Sequence, residues 1–160
     1  MGLEDIYRRD RPFGGAKGLI FIGSQLLATV RDDTAPSCPG QLDLVGGGRE
    51  MRPDGRLETP FETFQRESQE EVGLRIKRRH IVYARWYCQL DPACTGVMFA
   101  AQLPPEAAGQ VQLGNEGKSI EYFDSMADLL DRADLIRILG ERTRDYARHL
   151  GTPLMEQQIA

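Results

Sequence analysis

Long hydrophobic runs are missing from this 160-residue sequence. The apolar stretches, such as residues 18–23, fall far short of the roughly 20 residues that cross a bilayer, so no membrane is expected as a partner. The opening MGLEDIYRRD has no apolar segment of the kind a secretory leader needs. Ile6 also stands where a myristoylation pattern requires Ser or Thr. Cysteine is scarce: Cys38, Cys88 and Cys94 are odd in number and show no paired C-x-x-C spacing, which argues against a zinc site and suits a reducing cytoplasm. Positive charge is not in excess either. With 20 Lys and Arg against 24 Asp and Glu the net charge is −4, so no nucleic-acid polymer is expected as a partner. Internal repeats, low-complexity tracts and linkers are lacking, and the length is that of one domain. The glycine run Gly46–Gly48 opens neither a G-x4-G-K-[ST] phosphate loop nor a G-x-G-x-x-G turn. An acidic chain can still hold an anionic substrate, but only through local cations or metal ions.

What is present is the mix of a globular domain, 41% hydrophobic and 28% charged. The N-terminal residues 1–15 read as a charged, Gly/Pro-rich arm. Residues 17–22 and 25–31 are apolar, β-branched strand candidates joined by Gly23-Ser24, a dipeptide that suits a tight hairpin. Residues 32–40 are loop by composition. Further strands are expected at 41–45 (running into the glycines), 80–90, 96–102, 111–113 and 119–123. Helices are expected from Pro60 to about Val72, from about Met126, and from about Ala133 to Leu150, followed by a tail at 152–160. Strands with interspersed helices imply a mixed sheet flanked by helices.

The helix from Pro60 carries the most information. Thr59 is a good N-cap, Pro60 fits the first helical position, Glu62 completes a capping box, and Gly73 supplies the left-handed stop. Glu67, Glu70 and Glu71, at i, i+3 and i+4, fall on one face. A solvated charged face is the simpler reading of such a helix. Yet Glu67 and Glu71 border the apolar stripe formed with Phe64, Phe61 and Val72, while Glu62, Gln65 and Gln69 make the solvated side. Carboxylates on that border bear a desolvation cost that a divalent cation would relieve, and oxygen-only ligands suit Mg²⁺ or Mn²⁺.

Gly47, Glu58 and the run Arg66-Glu67-Ser68-Gln69-Glu70-Glu71-Val72-Gly73-Leu74 resemble the Nudix box, G-x5-E-x7-REUxEExGU with U aliphatic. Two departures are visible: ten residues rather than five separate Gly47 from Glu58, and Ser68 replaces an aliphatic residue. The resemblance, centred on residues 47–74, implies a single α/β (α+β) domain with the Nudix-type α/β/α sandwich around a central mixed β-sheet. It implies a hydrolase that cleaves the pyrophosphate bond of a nucleoside diphosphate linked to another moiety, a nucleotide-type small molecule, with Mg²⁺ or Mn²⁺. It further implies metal ligation by Glu67, Glu70 and Glu71, an extra ligand from the Gly47 carbonyl, and an Arg66 that fixes a neighbouring carboxylate. Nudix hydrolases often place another carboxylate in a downstream loop as general base or metal ligand; here that is Glu116, which could equally be an ordinary turn residue. The catalytic candidates are thus Glu70, Glu71, Glu116 and Arg66.

A non-catalytic Nudix-like nucleotide-binding domain is the alternative, but such a domain would be expected to lose box glutamates, and all four (Glu58, Glu67, Glu70, Glu71) are kept. Leu90 is neither the proline nor the tyrosine that some subgroups carry, leaving nucleoside triphosphates, dinucleoside polyphosphates and nucleotide sugars open. Arg49, Arg52 and Arg56 in the longer loop could reach substrate phosphates, though loop arginines usually do nothing specific. Tyr83 and Tyr87 share one strand face and Trp86 the other, core positions first and base-stacking positions second. A homodimer is compatible with the sequence, which does not fix the oligomeric state.

Overall fold

A computed structural model describes residues 3–88 and 95–151 of the chain. Leu90, Cys94 and the 152–160 tail lie outside them. Strand β1 (Gly15–Ile22) is the centre of a seven-stranded mixed sheet. It pairs in parallel with β6 (Gly96–Leu103) along its whole length, and β6 pairs antiparallel with β5 (Ile81–Tyr87). The other edge of β1 is shared. Its second half (Ile20–Ile22) pairs with β2 (Gln25–Arg31) through the Gly23-Ser24 turn, where Gly23 takes the left-handed φ of 60°. Its first half (Gly15–Gly18) pairs with β4 (Val45–Gly48). β2 continues to β3 (Leu42–Asp43) and β7 (Gly117–Phe123). The sheet therefore forks beside β1, and the fork is where the chemistry-bearing residues meet.

Helix α1 (Pro60–Val72) covers one face. Its Phe64 stacks on Phe99 of β6 with ring centroids 4.9 Å apart, and a Cβ on Gly18 would overlap that ring, so β1 needs glycine there to let α1 down onto the sheet. Burying a Phe of this kind is worth about 1.5–3 kcal/mol. Helices α2 (Met126–Leu130) and α3 (Arg137–His149) cover the opposite face, where Leu129, Leu139 and Tyr146 meet Leu19, Leu26, Met98 and Tyr83. Three layers with a mixed sheet in the middle agree with the expected sandwich. Among the described residues no helix is long and apolar enough to cross a membrane.

Several boundaries differ from the sequence reading for identifiable reasons. The strand expected at 41–45 divides into β3 and β4, and β4 takes in the glycines 46–48 because β1 supplies their ladder partners. Residues 111–113 are not a strand: the Gln112 N–H donates to the orphan carbonyl of Val72, so this segment runs along the end of α1. Helix α3 starts at Arg137 rather than near Ala133, since Leu42 donates to the Asp134 carbonyl and accepts from the Ile136 N–H, which ties residues 134–136 to β3 ahead of the helix. The N-terminal arm is tied down: it opens with a 3-10 turn (Leu3–Tyr7), buries Ile6 and Phe13, and sets Tyr7 edge-on against Phe61.

Candidate active site

The ends of α1 are fixed as its sequence indicates. Thr59 Oγ1 accepts from the Glu62 N–H at 3.1 Å, the Glu62 carboxylate accepts from the Thr59 N–H at 2.8 Å, and Gly73 closes the helix at φ 71°. This rigid helix presents its glutamates to the fork of the sheet. Ser68, where an aliphatic residue was the expectation, is fully buried, and its hydroxyl donates to the Phe64 carbonyl at 2.7 Å.

Arg66 organises the carboxylates. Its Nε donates to Glu58 Oε1 at 2.8 Å, Nη1 to Glu67 Oε1 at 2.6 Å and Glu70 Oε2 at 3.0 Å, and Nη2 to the Gly48 carbonyl at 2.7 Å. Burial works against the charge on Arg66, but its bonds to Glu58 and Glu67 outweigh this and raise its pKa. Glu58 is buried; burial would raise its carboxyl, yet Arg66, the Glu50 N–H and the Thr63 hydroxyl together hold it below the ordinary glutamate value. Glu67 comes out the other way, with burial raising it despite Arg66. Its carboxylate lies so close to β4 that a Cβ on Gly47 would sit 2.5 Å from Oε1, so Gly47 is needed for the approach. Glu70 is exposed.

Glu71 has a different environment. It is half-buried, pairs with no cation among the described residues, and its Oε2 accepts the Gly46 N–H at 3.0 Å. Burial pushes its carboxyl up to about 7; Lys17 and the Gly46 N–H oppose this, and Asp43 and Glu67 add to it.

Glu116 reaches the same cleft through the far end of α1. The Gly114 N–H donates to the Glu71 carbonyl at 2.8 Å, and a Cβ on Gly114 would run into the Glu70 carbonyl, so the loop before β7 lies flat on the helix end. The resulting cleft of about 560 Å³ is lined by Gly46, Gly47, Glu67, Glu71 and Glu116, together with Lys17, Arg31 and Arg142. Sequence reasoning missed these three cations and Asp43. Asp43 is almost fully buried, and its Oδ2 accepts from Lys17 Nζ and Arg31 Nη1, both at 2.8 Å. One carboxylate thus anchors two cations, leaving the β1–β2 side of the cleft positive. A signal existed: Lys17 and Asp43 are lone charges inside otherwise apolar strands.

The arginines of the longer loop are structural. Residues 49–57 fold back as a small hairpin with a Met51–Leu57 bridge. Arg49 donates to the carbonyls of Glu58 and Arg9 and lies over Phe13, Arg52 pairs with Glu62, and Arg56 pairs with Asp54. Glu62, expected on the solvated face, is accordingly a part-buried partner of Arg9 and Arg52. Tyr83 and Trp86 are core residues on opposite faces, as their alternation implied.

The donor set fits a hard divalent cation. Among the described residues no three acidic, His or Cys side chains converge closely enough to hold an ion as they stand, because Arg66 bridges Glu67 and Glu70. But Glu71 is a carboxylate withdrawn from water without a paired cation, beside Glu67 and a strand of bare glycines. That is an oxygen-only cradle short of positive charge.

No protein-family model matches the sequence, and no curated protein matches it. The structure, in contrast, is similar to many solved ones. A MutT protein from Methanosarcina mazei Go1 aligns with 88% of this chain and 97% of its own at 19% identity and a TM-score of 0.65. A NUDIX hydrolase from Nitrosomonas europaea aligns with 91% of this chain and 77% of its own at 19% identity and a TM-score of 0.61. A C. elegans Ap4A hydrolase in a binary complex aligns with 86% of this chain and 96% of its own at 18% identity and a TM-score of 0.59. With the box helix set against the forked sheet and neighbours of this kind over nearly the whole length, the chain has the Nudix fold.

Proposed function

We propose that the chain is a divalent-metal-dependent pyrophosphohydrolase acting on a nucleotide-type small molecule. The observation that carries this reading is Glu71: a half-buried carboxylate, without a paired cation among the described residues, in a cleft lined also by Glu67, Glu116, Lys17, Arg31 and Arg142. Glu67, Glu70 and Glu71, with the Gly47 carbonyl and Glu116, would hold Mg²⁺ or Mn²⁺, which supplies Lewis acidity for water attack on phosphorus. Arg66 positions Glu67 and Glu70 through its fork of hydrogen bonds. Lys17 and Arg31, braced by Asp43, offset the charge of the phosphates. Where it is the general base rather than a ligand, Glu116 takes the proton of the attacking water as the new P–O bond forms and the bridging P–O bond breaks, with Glu70 the other candidate base. The charge pattern makes chemical sense, since a pyrophosphate needs cations on all sides and the acidic wall can meet it only through metal.

The test is a hydrolysis screen over nucleoside triphosphates, dinucleoside polyphosphates (the compound class in the name of the C. elegans neighbour) and nucleotide sugars. Each is run with Mg²⁺, with Mn²⁺ and with excess chelator. Turnover that depends on metal and collapses in Glu71→Gln supports the reading. Full activity in chelator, or no turnover of any compound, ends it.

A further inference from the structure

Arg66 has more carboxylates around it than it can serve at once. Its Nη1 carries two N–H groups, and both are taken, by Glu67 Oε1 at 2.6 Å and Glu70 Oε2 at 3.0 Å. A further carboxylate stands just outside hydrogen-bond reach. Glu50 Oε1 lies 3.7 Å from the same nitrogen, and among the described residues its side chain has no other partner. The opposite edge of the guanidinium is fixed. Nε and Nη2 grip the two oxygens of the buried Glu58 at 2.8 and 3.2 Å, and Nη2 also donates to the Gly48 carbonyl at 2.7 Å. The guanidinium is thereby held in place, and what can change is which carboxylates reach Nη1.

Glu50 owes its position to the longer loop before the helix. Its N–H donates to Glu58 Oε2 at 3.1 Å, and its carbonyl accepts from the Glu58 N–H at 3.0 Å. The loop is thus anchored on the residue that also anchors Arg66. The Glu50 side chain is 64% exposed and lines the cleft, so it is free to close onto Nη1. Glu70 is exposed to a similar degree, at 59%, and the two compete for one N–H on near-equal terms. Glu70 has a second call on it. Drawn to Arg66, it does not converge with Glu67 and Glu71 on a common point, and among the described residues no three acidic side chains do. Holding one cation with all three requires Glu70 to leave Arg66. That would strip an acceptor from a guanidinium only 19% exposed, where an unsatisfied donor is costly.

We propose that Glu50 is a positioning residue for the metal site: when Glu70 turns to join Glu67 and Glu71 on a divalent cation, Glu50 closes onto Arg66 Nη1 and takes the place of Glu70. The proposal rests on the metal-dependent reading above. Glu67 keeps one oxygen on Arg66 and has the other for the cation. Glu50 is not itself a ligand. It acts through Arg66, so a residue of the loop outside the helix tunes how tightly the helix holds metal.

Mn²⁺ binding to the full chain, read by titration calorimetry without nucleotide, tests this in a cycle of four proteins: the parent, Glu50→Gln, Glu70→Gln and the double substitution. Both side chains are exposed and Gln leaves the backbone bonds of Glu50 intact, so all four should fold. Outer partners of metal ligands are worth roughly 10–100-fold in affinity, and an exposed one should be worth less, about fivefold. Glu50→Gln should therefore weaken Mn²⁺ about fivefold in the parent. With Glu70 already changed to Gln no carboxylate has to be released, and the same substitution should alter affinity by less than about 1.5-fold. A loss of equal size in both backgrounds would mark Glu50 as a direct ligand or a distant charge and overturns the proposal, as does an unchanged affinity in Glu50→Gln. No Mn²⁺ binding by the parent overturns the metal reading with it, whereas intact Mn²⁺ binding without turnover of any compound counts against the hydrolase reading alone.

Discussion

Glu71 should make the metal-free protein less stable as pH rises through neutrality, and the size of the effect follows from its burial. The folded-state carboxyl is pushed up to about 7 from an ordinary value of 4.5. Below pH 4.5 the group is protonated in both states, and its full contribution to stability is present. Between 4.5 and 7 the unfolded chain gives up the proton first, so the folded state loses ground steadily. Above about 7 both states are ionised and the loss is complete. A shift of about 2.5 units corresponds to an upper bound of about 3 kcal/mol. For a domain of this size each kcal/mol moves the melting temperature by about 2–4 °C, giving a fall of up to roughly 10 °C between pH 5 and pH 8. Burial raises the Glu67 carboxyl as well, so it adds to the trend, whereas the lowered Glu58 acts in the opposite direction at lower pH. The measurement is therefore a difference: thermal unfolding of the parent and of Glu71→Gln in chelator at several pH values. The substituted protein should be flatter across this window and more stable than the parent at pH 8. Saturating Mn²⁺ should remove most of the slope in the parent by binding the folded state alone. Identical pH slopes in the two proteins would refute the assignment of a strained, protonatable carboxylate to this position.

Further substitutions separate the remaining roles. Glu71→Gln should lower metal-dependent turnover by roughly 10²-fold or more with the fold intact, checked by steady-state rates and circular dichroism. Glu116→Gln should depress kcat far more than it raises KM if the side chain is the base; partial rescue by added Mn²⁺ would mark it as a ligand instead, and an unchanged kcat would remove it from the site. Arg66→Ala leaves Glu58 buried without its cation and should cost about 3 kcal/mol in a denaturant titration. Gly114→Ala forces the loop off the Glu70 carbonyl and should reduce kcat through misplacement of Glu116, whereas an unaltered rate would show that the tie to α1 is not what places it.

Helix α1 was readable because its determinants are local. The capping box, the proline and the left-handed glycine lie within one turn of the ends they fix, and the glutamate spacing is set by helix geometry alone. Other elements were misread where distant partners decide. Gly46–Gly48, left beyond the strand expected at 41–45, belong to β4 because β1 offers an edge; residues 134–136 look helical and stay outside α3 because Leu42 pairs with them. The capacity of the arm to bury Ile6 and Phe13 could not be read from its charges.

The same division runs through the site. Apart from Glu116, the glutamates proposed as ligands belong to one helix and are visible in five consecutive residues, 67–71. The cations come from β1, β2 and α3; α3 lies more than a hundred residues beyond the two strands and joins them only through helix docking. Lys17 and Asp43 left a trace, since a charge within an apolar strand must find a partner, and each is the other's partner at 2.8 Å. Arg142 left none, because α3 carries four arginines and only the packed structure singles out the one stacked on Tyr87 beside Gly96. The motif therefore carries acidic groups of the cleft but none of the cations that line it. Lys17, Arg31 and Arg142 are brought into that cleft by the packing of elements outside the motif, so the charge that the cleft presents depends on residues the motif does not show.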